Sequence, residues 1–210
     1  FKMRIFNADG SEAKMCGNGI RCVGKYVFDK GYTDKTHLTV ETLSGIKTLD
    51  LKTVGGKAVY ATVDMGKCKV NKSVTLEALN REVTLLPVSM GNPHAVIFVK
   101  DAENAPLTTL GAALEHHEFF PDGVNVEFVQ VIDSLTLRMR VWERGSGITM
   151  ACGTGSCASV AAAVAMGYCR ENELVTVKLD GGDLSVKMLP DKTVMMTGPA
   201  KTVCECEVDM

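Results

Sequence analysis

The chain carries one short turn twice. Met15-Cys16-Gly17-Asn18-Gly19 and Ala151-Cys152-Gly153-Thr154-Gly155 share the order Cys-Gly-x-Gly, and each runs straight into an apolar stretch of helical period. A turn-into-helix unit repeated at positions 16 and 152 constrains the fold more than any other feature. It implies two halves of similar plan with a cleft between them. Each thiol is expected at a helix N-terminus, where backbone N–H groups and the helix dipole favour a thiolate. Two such thiols facing one small anion suggest proton transfer.

Between these turns the sequence reads as short alternating strands, at 36–43, 58–64, 83–90, 95–99, 125–132, 135–142, 174–179, 184–189 and 203–208, with a further strand opening the chain at 2–6. Asp180-Gly181-Gly182 marks a hairpin, since glycine accepts the positive φ of such turns. The sheets are therefore expected to be rich in antiparallel pairs. Helices are predicted over 18–30, with Gly31 as a left-handed stop, over 107–117, and over 154–169. The last is apolar on every side, which predicts a helix wrapped by strands. The polar stretch 54–72 is the expected crossing between the halves.

Opposed thiols can do what a single one cannot. Inverting a stereocentre takes a proton from one face of a carbon and returns one to the other, so a thiolate and a thiol suffice. A helix N-terminus lowers the ordinary thiol pKa of about 8.5 and makes the thiolate accessible near neutral pH. The first-turn amides of Gly17, Asn18, Gly153 and Thr154 can hold a carboxylate and oppose the charge that develops as the α-carbon is deprotonated. The plain alternative is that Cys16 and Cys152 are buried small hydrophobes. The repetition of the same grammar favours the functional reading.

Other polar residues interrupt apolar stretches: Asn7, Asn92 and His94 in Gly91-Asn92-Pro93-His94, and Asn125 in Gly123-Val124-Asn125. Each asparagine taken alone reads better as a turn residue, and His94 as a supporting, hydrogen-bonded histidine. Glu143 and Arg144 stand just before the second cysteine turn, where a carboxylate can hold an ammonium and a guanidinium can grip a carboxylate. His116-His117-Glu118 reads as an exposed helix end.

Net charge of −2 with scattered lysines argues against nucleic acid as a partner and for a small-molecule substrate. No apolar run reaches the roughly 20 residues of a membrane span, and no leader is read at the start, so a cytoplasmic protein without membrane contact is expected. The eight cysteines lack a disulfide framework and common zinc spacings, so neither disulfides nor metal is expected.

These residues resemble the diaminopimelate epimerase family. The resemblance rests on Phe6-Asn7-Ala8-Asp9-Gly10-Ser11-Glu12 with the first cysteine turn, Gly91-Asn92-Pro93-His94, Gly123-Val124-Asn125-Val126-Glu127-Phe128, Trp142-Glu143-Arg144-Gly145 through the second turn, and Met196-Thr197-Gly198-Pro199-Ala200. It implies an α/β fold of the α+β type: two pseudo-symmetric halves, each a curled, mostly antiparallel sheet around a central helix. The halves are expected at 1–61 with 198–210 and at 62–197. It implies interconversion of LL- and meso-diaminopimelate by Cys16 and Cys152 with no cofactor, neither pyridoxal phosphate nor metal. Glu143 would bind the reacting ammonium, Gly17, Asn18, Gly153 and Thr154 the reacting carboxylate, and Asn7, Asn92, Asn125 and Arg144 the distal end of the substrate. Members often pair, so a homodimer is expected. The family carries some tens of residues before the first cysteine turn, so this chain reads as a piece of the enzyme with its first half incomplete.

Proline racemase and hydroxyproline epimerase share this fold and two-thiol chemistry but have no use for Arg144 and three asparagines at a distal end. A non-catalytic binding protein on the same scaffold and a redox sensor are the rivals from other classes.

Overall fold

Alternating burial defines the strands. β3 (His37–Thr42) buries Leu38, Val40 and Thr42 and exposes the residues between, the period-two pattern of a sheet covered on one face. The computed structural model describes residues 1–6, 10 and 12–207. The chain divides into two units, Phe1–Val63 with Gly198–Met210, and Asp64–Thr197.

In the first unit, β1 (Ile5–Phe6) pairs with β2 (Glu12–Ala13), and β3, β4 (Gly45–Val54) and β5 (Lys57–Lys67) form an antiparallel meander. Gly55 and Gly56 join β4 to β5 with φ of 58° and 75°, the positive values a two-residue hairpin demands at both central positions. α1 (Gly17–Asp29) packs on β4 and buries Ile20, Gly24 and Val27. The approach is close: a Cβ on Gly24 would lie 3.0 Å from Leu49 Cδ2 and 3.1 Å from Leu51 Cδ2. The helix stops at Gly31 as expected, with Tyr32 N–H donating to the Val27 carbonyl. The strand expected at 2–6 is reduced to a parallel bridge from Lys2 to Glu41 and the two residues of β1.

The second unit holds, in order, β6 (Lys69–Val70), β7 (Val74–Ala78), β8 (Arg81–Ser89), β9 (Pro93–Phe98), a π-helical turn (Leu107–Gly111) leading into α2 (Ala112–Glu115), β10 (Asn125–Asp133), β11 (Thr136–Glu143), β12 (Gly147–Ile148), α3 (Gly153–Ala165), β13 (Val175–Lys178), β14 (Leu184–Met188) and β15 (Thr193–Pro199). The sheet runs β15-β14-β13-β11-β10-β9-β8-β6, with β7 on β8 and β12 on β11. It is antiparallel except for β9 with β10 and β11 with β13. Those parallel pairs are the ones joined by a helical crossover, through α2 and α3, because a parallel connection must bring the chain back to the same end.

α3 is the centre of this unit. Its residues from Gly155 to Ala163 are all buried, and it packs on β6, β8, β9, β10, β11, β13 and β14. A helix about 10 Å wide cannot reach so many strands spaced about 4.8 Å apart unless the sheet curls around it. The other side of the sheet carries a second apolar cluster, in which Leu107, Leu110 and Leu114 meet Leu85, Val126 and Phe128 with Trp142 packed alongside.

Several expectations are corrected. Residues 203–207 form no strand and are exposed, Val203 by 93 %, because no neighbouring strand takes up their hydrogen bonds among the described residues. The helix expected to run to 169 ends at Ala165, where Gly167 turns left-handed at φ 78° and its N–H returns to Val164. β4, β7 and β15 were not legible in the pattern. In β4 the register shifts between Lys52 and Thr53 and Val54 is exposed, so its apolar residues keep no single phase. Among the described residues no helix is long and apolar enough to cross a membrane.

Candidate active site

Each cysteine caps its helix, and the two caps match. Cys16 precedes α1 with φ −136° and ψ 115°, and Cys152 precedes α3 with φ −117° and ψ 112°. In both, the sulfur accepts from the backbone N–H three residues on, Gly19 to Cys16 Sγ and Gly155 to Cys152 Sγ, at 3.3 Å. The sulfur thus takes the place of the hydroxyl or carboxylate oxygen of an ordinary N-cap. Gly17 with Asn18, and Gly153 with Thr154, occupy the first turns, whose amides point out along the helix axis. In the first unit the Arg21 guanidinium is buried and donates to the Gly17 carbonyl at 3.1 Å and to the Pro199 carbonyl at 3.3 Å. Asn7 lies outside the described residues.

The second turn is the more enclosed. Cys152 is buried while Cys16 is half-buried. Thr154 Oγ1 lies 3.6 Å from Cys152 Sγ and accepts from Asn92 Nδ2 at 3.3 Å. Asn92 Oδ1 meets His94 Nε2 at 3.2 Å, and His94 Nδ1 meets Glu127 Oε1 at 2.6 Å. His94 and Glu127 are both fully buried. His94 is linked to the Cys152 turn through Asn92 and Thr154.

Burial pushes the Cys152 thiol well above its ordinary pKa, negative charge on Glu143, and on Glu127 when it is ionised, adds to the effect, and the Thr154 hydroxyl and Gly155 N–H oppose it. Burial therefore works against the thiolate expected at Cys152. Withdrawal of a sulfur from water outweighs the helix end.

Glu143 accepts from the Thr149 hydroxyl. Arg144 is exposed, and its Nη1 donates to the Asp122 carbonyl at 2.9 Å. Asn125 is buried and turned to the backbone: Nδ2 donates to the Pro93 carbonyl at 3.0 Å, and Oδ1 accepts from Arg144 N–H at 3.0 Å. Asn125 therefore staples the start of β9 to the end of β11, fixing where Arg144 leaves the sheet.

Two residues were missed by sequence reasoning. Glu115, at the end of α2, accepts from Trp142 Nε1 at 2.6 Å and from Gly145 N–H at 2.7 Å, clamping both sides of the Glu143-Arg144 dipeptide. Glu127 anchors His94. In sequence, Glu115 stands at the head of a polar helix end, and Glu127 sits between Val126 and Phe128 in a largely apolar strand; neither pattern reveals a partner. His116 is exposed as expected, whereas His117 is half-exposed and bonds to the Glu77 carbonyl at 3.2 Å. Among the described residues no three His, Cys, Asp or Glu side chains converge on a metal position.

The sequence profile described as Diaminopimelate epimerase matches residues 1–70 and 86–203. A diaminopimelate epimerase of Bacillus licheniformis is 50 % identical over 98 % of this chain and 77 % of its own length. That of Acetivibrio thermocellus is 50 % identical over 100 % of the chain and 79 % of its own length, and that of Bacillus subtilis 48 % identical over 97 % and 77 %. Among solved structures, a probable proline racemase from Agrobacterium radiobacter, with bound carbonate, superposes with a TM-score of 0.78 at 18 % identity, covering 99 % of this chain and 72 % of that one. A hydroxyproline epimerase from Agrobacterium vitis, with bound trans-4-hydroxy-L-proline, gives 0.71 at 17 % identity over 94 % and 68 %. At such identity these structures speak for the shared fold alone. The profile match and the relatives near half identity establish that the chain belongs to the diaminopimelate epimerase family.

Proposed function

We propose that the chain is a diaminopimelate epimerase whose two bases are Cys16 and Cys152. The observation that carries this reading is the duplicated cap: two sulfurs in the same backbone conformation, each at a helix N-terminus and each accepting one amide at 3.3 Å. In the reaction one cysteine, as thiolate, removes the α-proton of LL- or meso-diaminopimelate. The other, as thiol, delivers its proton to the opposite face, and the two sulfurs end with their protonation states exchanged. The Cys152 thiol, held neutral by burial, suits the delivering role for one stereoisomer.

First-turn amides of Gly17, Asn18, Gly153 and Thr154 would hold the reacting carboxylate and take up charge as the carbanion forms. Glu143, whose charge is felt at Cys152, would bind the reacting ammonium. Asn7, Asn92, Asn125 and Arg144 would receive the distal end, with Asn125 acting through its hold on Arg144. No cofactor is invoked, since a pair of thiols supplies both proton transfers. A homodimer and a cytoplasmic setting belong to the same reading, and the mass in solution by light scattering checks the first.

Incubation of LL-diaminopimelate in deuterated water tests the proposal. Deuterium is expected at one α-carbon, with the meso isomer accumulating, and both effects should vanish in Cys16→Ala and Cys152→Ala. Exchange at the parent rate in either variant would remove the thiols from the mechanism. The proline racemase reading is weaker, because it rests on structures at 18 % and 17 % identity against relatives near 50 %.

A further inference from the structure

Glu127 takes no part in the chemistry described above, yet it is fully buried against it. The hydrogen-bond directions around it can be worked out in order. Asn92 Nδ2 donates to Thr154 Oγ1, so Asn92 Oδ1 is the atom facing His94 Nε2, and an amide oxygen only accepts. His94 Nε2 therefore carries a proton. Its Nδ1, 2.6 Å from Glu127 Oε1, is then either the second N–H of an imidazolium facing a carboxylate, or a lone pair facing a carboxylic acid.

Glu127 Oε2 decides between these. It is buried and has no hydrogen-bond partner among the described residues. A carboxylate would leave charge on an oxygen with nothing to receive it, whereas in the acid form Oε2 is a neutral carbonyl oxygen and its isolation is far less unfavourable. At the far end of the chain, Thr154 Oγ1 already accepts from Asn92, so its own hydrogen is available to Cys152 Sγ at 3.6 Å, beside the Gly155 N–H.

We propose that Glu127 is held as a neutral carboxylic acid that donates to His94 Nδ1, fixes the Nε2–H tautomer, and so aims the run of donors through Asn92 and Thr154 at the sulfur of Cys152. Glu127 is thus a positioning residue for the second thiol. The titratable groups facing Cys152 from the packed strands are Glu127 on β10 and Glu143 on β11, with His94 on β9 behind Glu127. A charged Glu127 would oppose a thiolate, and a neutral one removes that opposition while the donors favour it. Burial pushes the Glu127 carboxyl up against the pull of His94, in keeping with the acid form. Gly155 leaves the room for this arrangement, since a Cβ there would lie 2.8 Å from Glu127 Oε1.

The inference rests on reading Cys152 as a reacting thiol, and its test is independent of turnover. In the unaltered full chain, nitrogen NMR of labelled imidazoles between pH 7 and 8 should show His94 neutral and protonated on Nε2, with assignment by single replacement of the other three histidines. An imidazolium or an Nδ1–H tautomer would overturn the proposal. The pH dependence of Cys152 alkylation by iodoacetamide, followed peptide by peptide in a mass spectrometer, reads the far end. Glu127→Gln still offers an N–H to Nδ1 and should keep the parent midpoint. Glu127→Leu and Thr154→Val should each raise it by about one pH unit, slowing alkylation about tenfold below the midpoint, and the double variant should be no slower than either. Unchanged midpoints, or additive effects, sink the idea. If Glu127→Leu does not fold, the tautomer and Thr154→Val still decide. If these results hold while deuterium exchange fails, the donor chain stands and the epimerase reading falls.

Discussion

A methyl group added at Gly155 should damage the second cysteine turn, while the same change at Gly19 in the first should be harmless. Both glycines are third residues of helices capped by their cysteines, and replacing glycine with alanine in a helix normally gains about 0.8–1 kcal/mol. At Gly19 the new Cβ would stand 3.5 Å from Cys16 Cβ and Sγ and 3.9 Å from Met3 Sδ, all ordinary contacts, so the gain is kept. At Gly155 it would stand 2.8 Å from Glu127 Oε1 and 3.2 Å from Cys152 Cβ and Sγ. Glu127 is fully buried and cannot swing into solvent. Moving it breaks the bond to His94, about 1–3 kcal/mol, and overfilling the site costs about 1–3 kcal/mol more. The net for Gly155→Ala is a loss of about 1–5 kcal/mol once the helix gain is subtracted. For a chain of this size that is a fall in Tm of roughly 2–20 °C, against a rise of up to about 4 °C for Gly19→Ala. Scanning calorimetry of the two variants beside the parent is the assay. Equal or raised Tm in Gly155→Ala would show that the turn has slack where the structure has none, and would also undercut the packing of Glu127 against α3.

Glu115→Gln removes the charge from the clamp on Trp142 and Gly145 and should destabilise by about 1–3 kcal/mol at pH 7. Burial works against the Glu115 carboxylate, but the N–H bonds from Trp142 and Gly145, with the charges of His116 and Arg144, hold it below its ordinary value. Its contribution is therefore full above the unfolded value of about 4.3 and is lost as pH falls through the lower folded value, so urea melts of parent and variant should converge in acid; a constant gap from pH 7 to pH 3 contradicts this. If Arg144 grips the distal carboxylate as proposed, Arg144→Met should lower kcat/KM for diaminopimelate about ten- to hundredfold, and an unchanged value would move the distal site elsewhere.

Legibility followed range along the chain. The second helix was expected to continue to 117, yet it opens with a π-helical turn and ends at Glu115; its Gly111 is pressed against β11, where a Cβ would lie 2.8 Å from Trp142 Cβ. The hairpin at Asp180-Gly181-Gly182 was legible from three adjacent residues, and Val177 pairs with Leu184 across it. Of the expected site residues, Asn92 and Thr154 meet each other, while Asn125 turns its amide to the Pro93 carbonyl and the Arg144 N–H.

The sequence by itself determined the two cysteine caps, the helices they open and the curling of strands around α3, because a cap is made between residues three apart and an all-apolar helix has to be enclosed. Only the tertiary structure decided the surroundings of those caps. Glu127 finds His94 33 residues away and Glu115 finds Trp142 27 residues away, and burial overrides the helix end in raising the Cys152 thiol. A hydrogen bond between distant strands and the loss of water around a sulfur both depend on which elements pack together, and nothing in the local spacing of residues encodes that.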